Sequence, residues 1–305
     1  MRIVMVGAGA MGCLFAARLA LGGNEIVMVD VDAARLALIA EQGVVLRDDA
    51  GEHRARVNAA RTEQVTGAVD LVMLFTKAIQ SAAAARSVAH LADGHCLALT
   101  LQNGLGNVEA LAEVFGPERT LWGVTDLPAD LEGPNRVVSH GAGQIKLGGY
   151  CPAAQDEAGA LAALLTGAGL AAVADADVRA AVWEKVAFNA ALNALATMTG
   201  LAVGGLDCPP GRRIAMAVVA ETAATAAAQG IDLDVARIAA RIDHALAHHR
   251  GHKASMLQDR LAGRRTEIEA INGAIGRLAV AAGVAAPVTQ TLADLVRMGE
   301  PSMAS

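Results

Sequence analysis

A glycine-rich turn near the start of the chain restricts the fold more than any other feature of the sequence. Residues 7–12 read Gly-Ala-Gly-Ala-Met-Gly, between an apolar stretch at residues 2–6 and an amphipathic stretch at residues 11–21. Between a strand and a helix, G-x-G-x-x-G permits a tight turn, close approach of the backbone to a pyrophosphate and close helix packing. The N–H groups at the helix start would bind the phosphates. The residues that we predict to bind a dinucleotide here are Gly7, Ala8, Gly9, Ala10, Met11 and Gly12.

The residue at the end of the second predicted strand bears on the choice of dinucleotide. Asp30 stands eighteen residues after Gly12. A carboxylate there accepts hydrogen bonds from an unmodified ribose and repels a 2′-phosphate, and the next basic residue, Arg35, comes one helical turn later. The sequence therefore favours NAD(H) over NADP(H). The alternative is that Asp30 caps the following helix, although Asp32 is better placed to do so.

The order of strand and helix patterns predicts two domains. The apolar runs are residues 2–6, 26–29, 71–75 and 97–101, the helical patterns between and after them are 11–21, 33–42, 79–91 and 108–115, and shorter strands are expected within 121–149. This alternation indicates βαβ units and a largely parallel sheet, whereas the pattern from residue 177 to 298 is helical throughout. We predict an α/β fold with a Rossmann-type NAD(P)-binding domain at 1–175 and an all-α substrate and catalytic domain at 176–305.

Charge and composition exclude several classes of partner. The net charge of −6 leaves no basic stripe for nucleic acid, and no apolar run approaches the length that spans a bilayer. The N-terminus begins directly as a strand, without the layout of a signal peptide. The cysteines are scattered and contain no C-x-x-C pair: Cys13, Cys96, Cys151 and Cys208. This pattern favours free thiols in a reducing compartment, and we expect a cytoplasmic protein.

Polar residues interrupt the apolar pattern at two predicted strand ends. Thr-Lys-Ala-Ile-Gln at 76–80 follows one strand, and Gln-Asn-Gly-Leu-Gly-Asn at 102–107 follows the next. Open α/β sheets bind ligands at the carboxyl ends of their strands, so Lys77 and Asn103 are candidates to face the cofactor. The alternatives are a solvated helix start and an ordinary turn.

A third polar pattern lies on a helix that is otherwise apolar. Lys185, Asn189 and Asn193 recur every four residues and therefore share one helix face. Such a stripe is costly to bury unless it lines a pocket. It could position a carboxylate or hydroxyl substrate, with the lysine giving a proton to a carbonyl oxygen. The alternative is the solvent-facing side of an amphipathic helix. Farther on, residues 255–259 and 264–273 alone would suggest only a capped, salt-bridged surface helix.

Together these segments resemble the ketopantoate reductase (2-dehydropantoate 2-reductase) family. The shared motifs follow one another along the chain: G-x-G-x-x-G, T-K-A-x-Q, Q-N-G-x-G-N, W-E-K-V-x-x-N-x-x-x-N, and S-M-L-Q-D followed by R-x-T-E-I-x-A-I-N-G. No one motif is decisive, but their order and combination are specific. The resemblance implies a 6-phosphogluconate dehydrogenase-like fold and NAD(P)H-dependent reduction of a 2-keto acid, ketopantoate to pantoate, in pantothenate biosynthesis.

The resemblance also implies roles for individual residues. Lys185 would donate a proton to the keto oxygen, and Glu267 would help to bind and orient the reacting groups. The residues implied to hold the substrate's carboxylate and hydroxyls are Asn189, Asn193 and Ser255, with Asn103 and Lys185. Those implied to contact the cofactor beyond the glycine-rich turn are Lys77, Asn103 and Ala129.

The sequence departs from better-known members of that family at three positions. Those members commonly carry Arg where Asp30 stands, in keeping with their use of NADPH. Ala194 replaces a proline that often follows the second helix asparagine, and Val203 stands where some members have a further substrate asparagine. The family also includes NAD-dependent D-2-hydroxyacid dehydrogenases of the mandelate type, which are the alternative function. NADP(H) stays open as cofactor from family precedent.

Two further alternatives lie outside this enzyme class. A non-catalytic NAD(H)-binding sensor would need neither Lys185 nor Glu267. A metal enzyme could use His244, His248 and His252, which are spaced by four, but Arg250 and Lys253 crowd them, and we expect no metal. The expected partner is a small 2-keto acid, with no nucleic acid and no membrane, and a homodimer is the assembly left open.

Overall fold

The structure, a computed structural model, describes residues 1–300. These residues form two compact units. The first comprises Met1–Gln102 and Asn107–Val178, and the second comprises Asn103–Gly106 and the chain from Arg179 onward. The short segment Asn103–Gly106 therefore belongs with the second unit, although the residues on both sides of it belong to the first. The sequence pattern does not indicate this grouping.

The first unit is built on a mixed sheet of eight strands and a smaller sheet of four. In chain order the strands are β1 (Arg2–Val6), β2 (Glu25–Val29), β3 (Val44–Asp48), β4 (Gly51–Ala55), β5 (Asn58–Ala60), β6 (Leu71–Leu74), β7 (Leu97–Thr100), β8 (Thr120–Thr125), β9 (Asp130–Gly133), β10 (Arg136–Ser139), β11 (Ile145–Gly149) and β12 (Ala172–Ala174). The large sheet has the order β12-β11-β8-β7-β6-β1-β2-β5, and within it only β11 and β8 pair antiparallel. The predicted Rossmann-type sheet is confirmed.

The central strand β1 explains why the predicted strands are apolar without alternation. Ile3 and Met5 pack into one apolar cluster, and Val4 and Val6 pack into another. Because helices cover both faces of a parallel sheet, residues on both faces of such a strand are buried, here from Ile3 to Val6. The carboxyl end of β1 leads directly into the glycine-rich turn.

Helices of the first unit follow the strands largely as the sequence predicts. They are α1 (Ala10–Leu21), α2 (Ala33–Gln42), α3 (Ser81–Ser87), α4 (Asn107–Phe115) and α5 (Gln155–Gly167). The helix predicted at 79–91 is shorter than expected, because both of its ends tighten into single 3₁₀ turns at Ala78–Gln80 and Ala89–Leu91. Tightened turns of this kind are common at helix ends.

The four-stranded sheet, in the order β4-β3-β10-β9, was not predicted. Its inner strand β3 is apolar at Val44, Val45 and Leu46, but β4 reads Gly-Glu-His-Arg-Ala and is largely exposed. Because β4 carries almost no apolar signal, the hairpin cannot be recognised from periodicity. Pairing of β3 with β10 joins segments about ninety residues apart in the sequence, which no local pattern reports.

The second unit is helical, as predicted. Its helices are α6 (Val178–Thr199, which begins at the last residue of the first unit), α7 (Pro209–Ala227), α8 (Val235–His248), α9 (Ser255–Leu261), α10 (Asn272–Ala282) and α11 (Pro287–Met298). Proline occupies the first turn of α7 and α11, where its missing N–H costs nothing. Among residues 1–300, no helix combines the length and the apolar character needed to cross a membrane.

The surface helix suggested by the sequence at 264–273 does not form. After α9 ends, the chain runs through turns until α10 begins at Asn272. Two backbone N–H groups of this segment bond outside a helical pattern. Arg264 N–H donates to the Asp259 carbonyl (2.8 Å), and Ile268 N–H donates to the Thr266 hydroxyl (3.2 Å). A side-chain hydroxyl that takes a backbone N–H in this way competes with the helical ladder.

Candidate functional site

The glycine-rich turn contains three glycines that serve different purposes. Gly7 has φ +104°, and a Cβ there would lie 2.9 Å from the Phe75 carbonyl carbon. A Cβ on Gly12 would lie 2.0 Å from the Gly7 carbonyl oxygen, so α1 packs too closely for any side chain. A Cβ on Gly9 would meet nothing within 4 Å. Turn geometry and packing therefore account for Gly7 and Gly12, whereas Gly9 borders open space.

The N-terminus of α1 fits an anionic ligand in that space. Gly9 is the N-cap, its backbone is extended, and no side chain caps the helix. The first turn carries no acidic residue. The first N–H groups of an α-helix have no partner within the helix, and they carry a partial positive charge. This arrangement suits the pyrophosphate of a dinucleotide.

Asp30 fixes the turn from the end of β2. One of its carboxylate oxygens accepts the Ala8 N–H (2.7 Å), and the other accepts the Asp32 N–H (2.9 Å). Asp32, and not Asp30, caps α2 by accepting the Arg35 N–H (3.0 Å). Each carboxylate oxygen has a second lone pair and can accept a further hydrogen bond. Asp30 thus holds the turn and can still accept hydrogen bonds from a ligand at the carboxyl end of β2.

Two arginines flank this turn, and sequence spacing pointed to only one of them. The Arg35 guanidinium donates to the Ala8 carbonyl (2.7 Å), and the Arg61 guanidinium donates to the Val31 carbonyl (2.8 Å). Arg61 is thirty residues from Val31 in the sequence, but β5 pairs with β2 and brings it there. Strand pairing thus adds a second basic group beside the residue that follows Asp30, which spacing along the sequence does not indicate.

The carboxyl ends of β6 and β7 are tied together by a polar network. The Gln102 side-chain amide donates to the Thr76 carbonyl (2.6 Å) and to the Ser81 hydroxyl (3.0 Å). Ser81 in turn donates to the Asn107 side-chain carbonyl (2.7 Å). Lys77 lies between these partners in the sequence and is exposed. Gln102 thus holds the Lys77 segment in place, a role that the spacing of residues along the sequence does not indicate.

Ala129 lies in the loop between β8 and β9. It is half-buried and packs against the larger apolar cluster of the first unit. Its contacts in this structure are therefore with the protein core.

In the second unit, α6 carries the predicted polar stripe. Lys185 and Asn189 are half-buried, and Asn193 is 7% exposed. The Asn193 amide donates to the Ser255 hydroxyl at 3.4 Å, which joins the stripe to the start of α9. The stripe is not a freely solvated face, and it brings Asn193 and Ser255 together from residues 62 apart in the sequence.

Contacts on other faces of α6 fix its position. Glu184 is 6% exposed and forms a two-point ion pair with Arg237 of α8, and this pairing raises the pKa of Arg237 above its ordinary value. The side-chain amide of Asn272, at the start of α10, donates to the Ala190 carbonyl (3.1 Å). A buried charge is tolerated when it is paired in this way. Neighbouring helices thus set the orientation of the Lys185 face.

The loop Asn103–Gly106 rests on the segment that contains Glu267. Gly104 has φ +87°, and a Cβ there would lie 2.5 Å from the Ala270 carbonyl oxygen. The Leu105 N–H donates to that same oxygen (2.8 Å). Glu267, three residues earlier, is 8% exposed. Asn103 therefore belongs to the unit that also carries Lys185, Ser255 and Glu267.

The histidines of α8 show no metal-binding arrangement. The rings of His244 and His248 lie 4.5 Å apart, as expected for neighbours on one helix face. Within residues 1–300, no three His, Cys, Asp or Glu side chains are grouped so that they could hold a metal ion.

Comparison with protein families shows the enzyme class to which a chain with these features belongs. The chain matches the family model described as "Ketopantoate reductase PanE/ApbA" over residues 3–151 and the model "Ketopantoate reductase PanE/ApbA C terminal" over residues 177–300. The chain belongs to the ketopantoate reductase family. As a ketopantoate reductase family member, it is an oxidoreductase that binds NAD(P)H.

Relatives within the ketopantoate reductase family align over nearly the whole chain. A 2-dehydropantoate 2-reductase of Halobacterium salinarum is 33% identical over 98% of this chain and 99% of its own length. One of Lactococcus lactis is 30% identical over 98% of both chains.

Similar solved structures agree with the fold. D-mandelate dehydrogenase with NADH and anilino(oxo)acetate superposes with a TM-score of 0.93 at 31% identity, covering 98% of both chains. The 2-dehydropantoate 2-reductase of Geobacter metallireducens superposes with a TM-score of 0.89 at 31% identity, over 98% of this chain and 99% of its own. The fold is therefore the 6-phosphogluconate dehydrogenase-like fold that the family resemblance implies.

Proposed function

We propose that this ketopantoate reductase family member reduces 2-dehydropantoate to pantoate, in pantothenate biosynthesis. Residues 1–175 would bind the cofactor, and residues 176–305 would bind and protonate the substrate. The observation that carries this proposal is a group of polar side chains in the second unit. Lys185, Asn189 and Asn193 line one face of α6, Asn193 reaches Ser255, and a buried Glu267 lies in the same unit.

The chemistry divides between cofactor and protein. NAD(P)H, when bound, supplies the hydride that is added to the C2 carbon of the keto acid. The Lys185 ammonium donates its proton to the keto oxygen and stabilises the negative charge that develops there. A lysine also suits an anionic substrate, whose carboxylate gains from a nearby cation.

The remaining polar residues bind and orient the substrate. Asn189, Asn193 and Ser255 offer amide and hydroxyl donors for the carboxylate and acceptors for the hydroxyl. Glu267 has an acceptor-only carboxylate when ionised, which suits a substrate hydroxyl or the Lys185 ammonium. Holding the reactants in one geometry lowers the barrier by removing the entropy cost of their encounter.

A second candidate is an NAD-dependent D-2-hydroxyacid dehydrogenase of the mandelate type. The similarity to a D-mandelate dehydrogenase crystallised with NADH supports it, as does Asp30. Ala194 and Val203 also replace residues that other family members carry, and both side chains are buried here. A sensor that binds NAD(H) without turnover is less well supported, since it would not require Lys185 or Glu267.

Steady-state rates with a panel of 2-keto acids test this proposal. We expect 2-dehydropantoate to give the highest kcat/KM, ahead of phenylglyoxylate as the aromatic representative. A higher value for phenylglyoxylate would establish the mandelate-type activity instead. Tight NADH binding with no turnover of any keto acid would favour the sensor.

For the cofactor, we propose a preference for NADH over NADPH. Asp30 supports this proposal, because its carboxylate can still accept from ribose hydroxyls and repels a 2′-phosphate. Arg35 and Arg61 act in the opposite direction, since either guanidinium could partly neutralise that phosphate. The motif places the ribose hydroxyls against the acid at the end of the second strand, so we expect the repulsion by Asp30 to dominate, with a preference of about fivefold or more.

Replacement of Asp30 by Asn tests the origin of this preference. In Asp30→Asn we expect the ratio of kcat/KM for NADH to that for NADPH to fall, because the charge is gone while the side chain keeps its size. Arg61→Ala is the matched control, for which we expect the ratio to rise. A wild-type enzyme that prefers NADPH, or an Asp30→Asn ratio equal to the wild-type ratio, would contradict the role given to Asp30.

A further inference from the structure

We propose that Glu300, just beyond the last helix, is a positioning residue that holds Glu267 in its working geometry through Thr266. This inference rests on the proposed function, in which Glu267 binds and orients the reacting groups. It adds a residue that lies outside the sequence motif around Glu267, because Glu300 is thirty-three residues away from Glu267 in the sequence.

Glu267 opens a short turn, in which its carbonyl accepts the N–H groups of Ala270 and Ile271 (3.1 Å each). Between the end of α9 at Leu261 and the start of α10 at Asn272, the chain follows bends and turns. In a helix, the repeated backbone bonds would fix the direction of each side chain. Here the turn begins at Glu267 itself, so the direction of its side chain also depends on the side chains that hold the residue before it.

Glu300 binds the residue before Glu267 directly and, through that residue, the one after it. One of its carboxylate oxygens accepts the Thr266 N–H (2.9 Å) and the Thr266 hydroxyl (2.6 Å). Because that hydroxyl donates its proton to Glu300, its own oxygen is oriented to accept the Ile268 N–H (3.2 Å). The other Glu300 oxygen accepts from the Arg265 guanidinium (3.2 Å). Glu300 thus binds the Thr266 backbone directly, and the Thr266 hydroxyl in turn binds the Ile268 backbone.

Burial makes this arrangement specific. The Glu300 side chain is 9% exposed, and Thr266 and Glu267 are 6% and 8% exposed. Hydrogen bonds to a charged acceptor are roughly twice as strong as those between neutral groups, and burial shields them from water. Arg265 pairs with this carboxylate, its guanidinium lying 3.2 Å from the second oxygen.

A second contact from the same helix end holds the other side of the segment. The Arg297 guanidinium, near the end of α11, donates to both carboxylate oxygens of Glu269 (2.6 and 2.9 Å). This guanidinium lowers the pKa of Glu269 and keeps it ionised. The end of α11 therefore holds the chain both before and after Glu267.

Catalytic side chains tolerate little displacement. A shift of about 1 Å caused by a change away from the reacting atoms can cost on the order of a hundredfold in rate. Loss of the Glu300 carboxylate leaves the Thr266 N–H without this acceptor, and loss of the Thr266 hydroxyl does the same to the Ile268 N–H. We expect kcat/KM for the keto acid to fall by about tenfold or more, while NADH affinity stays unchanged.

The test compares variants of Thr266 and Glu300 with a matched control. Thr266→Val keeps the size and removes the hydroxyl, whereas Thr266→Ser keeps the hydroxyl and should retain nearly full activity. Glu300→Ala removes the carboxylate, and Glu300→Gln, which keeps one acceptor for Thr266, should recover part of the loss. Melting temperature, NADH affinity, kcat and KM are measured for each.

Glu221→Ala is the control because Glu221 anchors the opposite end of α11. Its carboxylate accepts the N–H groups of Val288 (3.0 Å) and Thr289 (2.8 Å), and it has no contact with the Glu267 segment among its hydrogen bonds in residues 1–300. We expect Glu221→Ala to lower the melting temperature as Glu300→Ala does, with kcat/KM close to wild type. Equal activity losses in the two variants would reduce Glu300 to a structural role and overturn the proposal.

A double variant separates this inference from the proposed function. We expect Glu267→Gln to lower kcat/KM strongly, and the addition of Glu300→Ala to it to change little further, because both act through one group. If Glu267→Gln keeps wild-type activity, the role proposed for Glu267 fails. If Glu267→Gln is inactive while Thr266→Val and Glu300→Ala are as active as wild type, the positioning role alone fails. Should Thr266→Val not fold, the comparison of Glu300→Ala with Glu300→Gln decides.

Discussion

Lys185→Ala is expected to lower keto acid turnover by about a hundredfold or more, because a general acid contributes roughly that much. NADH affinity should remain nearly unchanged. Lys185 lies on α6 in the second unit, whereas the glycine-rich turn that fits the pyrophosphate lies in the first. Steady-state kinetics give the first quantity, and NADH fluorescence titration gives the second.

Two further variants make the Lys185 result specific. Lys185→Met keeps most of the side-chain volume without the ammonium, so it should be as inactive as Lys185→Ala. Lys253→Ala removes an exposed lysine from the same unit and should leave turnover unchanged. Retention of more than about a tenth of wild-type turnover in both Lys185 variants would rule out the proton-donor role.

Features that depend on neighbouring residues could be predicted from the sequence. The turn around Gly7, the strand that ends before Asp30 and the stripe from Lys185 to Asn193 each follow from spacing within one or two elements. Strand periodicity and helix periodicity report such local facts directly. The parallel sheet and the helical second unit follow in the same way.

Features that depend on long-range pairing could not be predicted. Arg61 reaches the turn after β2 only because β5 pairs with β2. Asn193 meets Ser255, and Thr266 meets Glu300, through packing of helices that the sequence leaves unplaced. No spacing rule connects such residues, because their separation in sequence is set by the loops and helices between them.

The segment around Glu267 shows how a local pattern can mislead. Its alternating charges suggested a salt-bridged surface helix, and the charges do form ion pairs, with Arg297 and Arg277 on Glu269. The Thr266 hydroxyl, however, takes the N–H that a helix would have used, and Glu267 is buried. Periodicity alone pointed to a surface residue, and the catalytic role of Glu267 stays a prediction from the family resemblance.

The glycine-rich turn gives the second large effect, because the structure separates two of its glycines. Gly9→Ala should fold normally but bind NADH about tenfold more weakly or worse. Gly9 has φ −72°, which alanine adopts readily, and its Cβ would meet no protein atom within 4 Å. The new methyl group would instead occupy the space that a pyrophosphate needs, since the second glycine of the motif lets the backbone approach it. The only cost to the fold is a weaker N-cap, about 1 kcal/mol or less.

Gly12→Ala should damage both the fold and the binding of NADH. Its Cβ would lie 2.0 Å from the Gly7 carbonyl oxygen, a backbone atom that cannot move aside without displacing the turn. Overpacking of this kind costs about 1–3 kcal/mol and sometimes more, so the melting temperature should fall by several degrees. Gly159→Ala, in an open position within α5, is the control and should be neutral or slightly stabilising. Melting curves and NADH titrations of the three variants give the comparison. If Gly9→Ala binds NADH as tightly as wild type, the pyrophosphate does not lie against residue 9. If Gly12→Ala has the melting temperature of the wild type, the close packing of α1 on the turn is not the reason that glycine is required at residue 12.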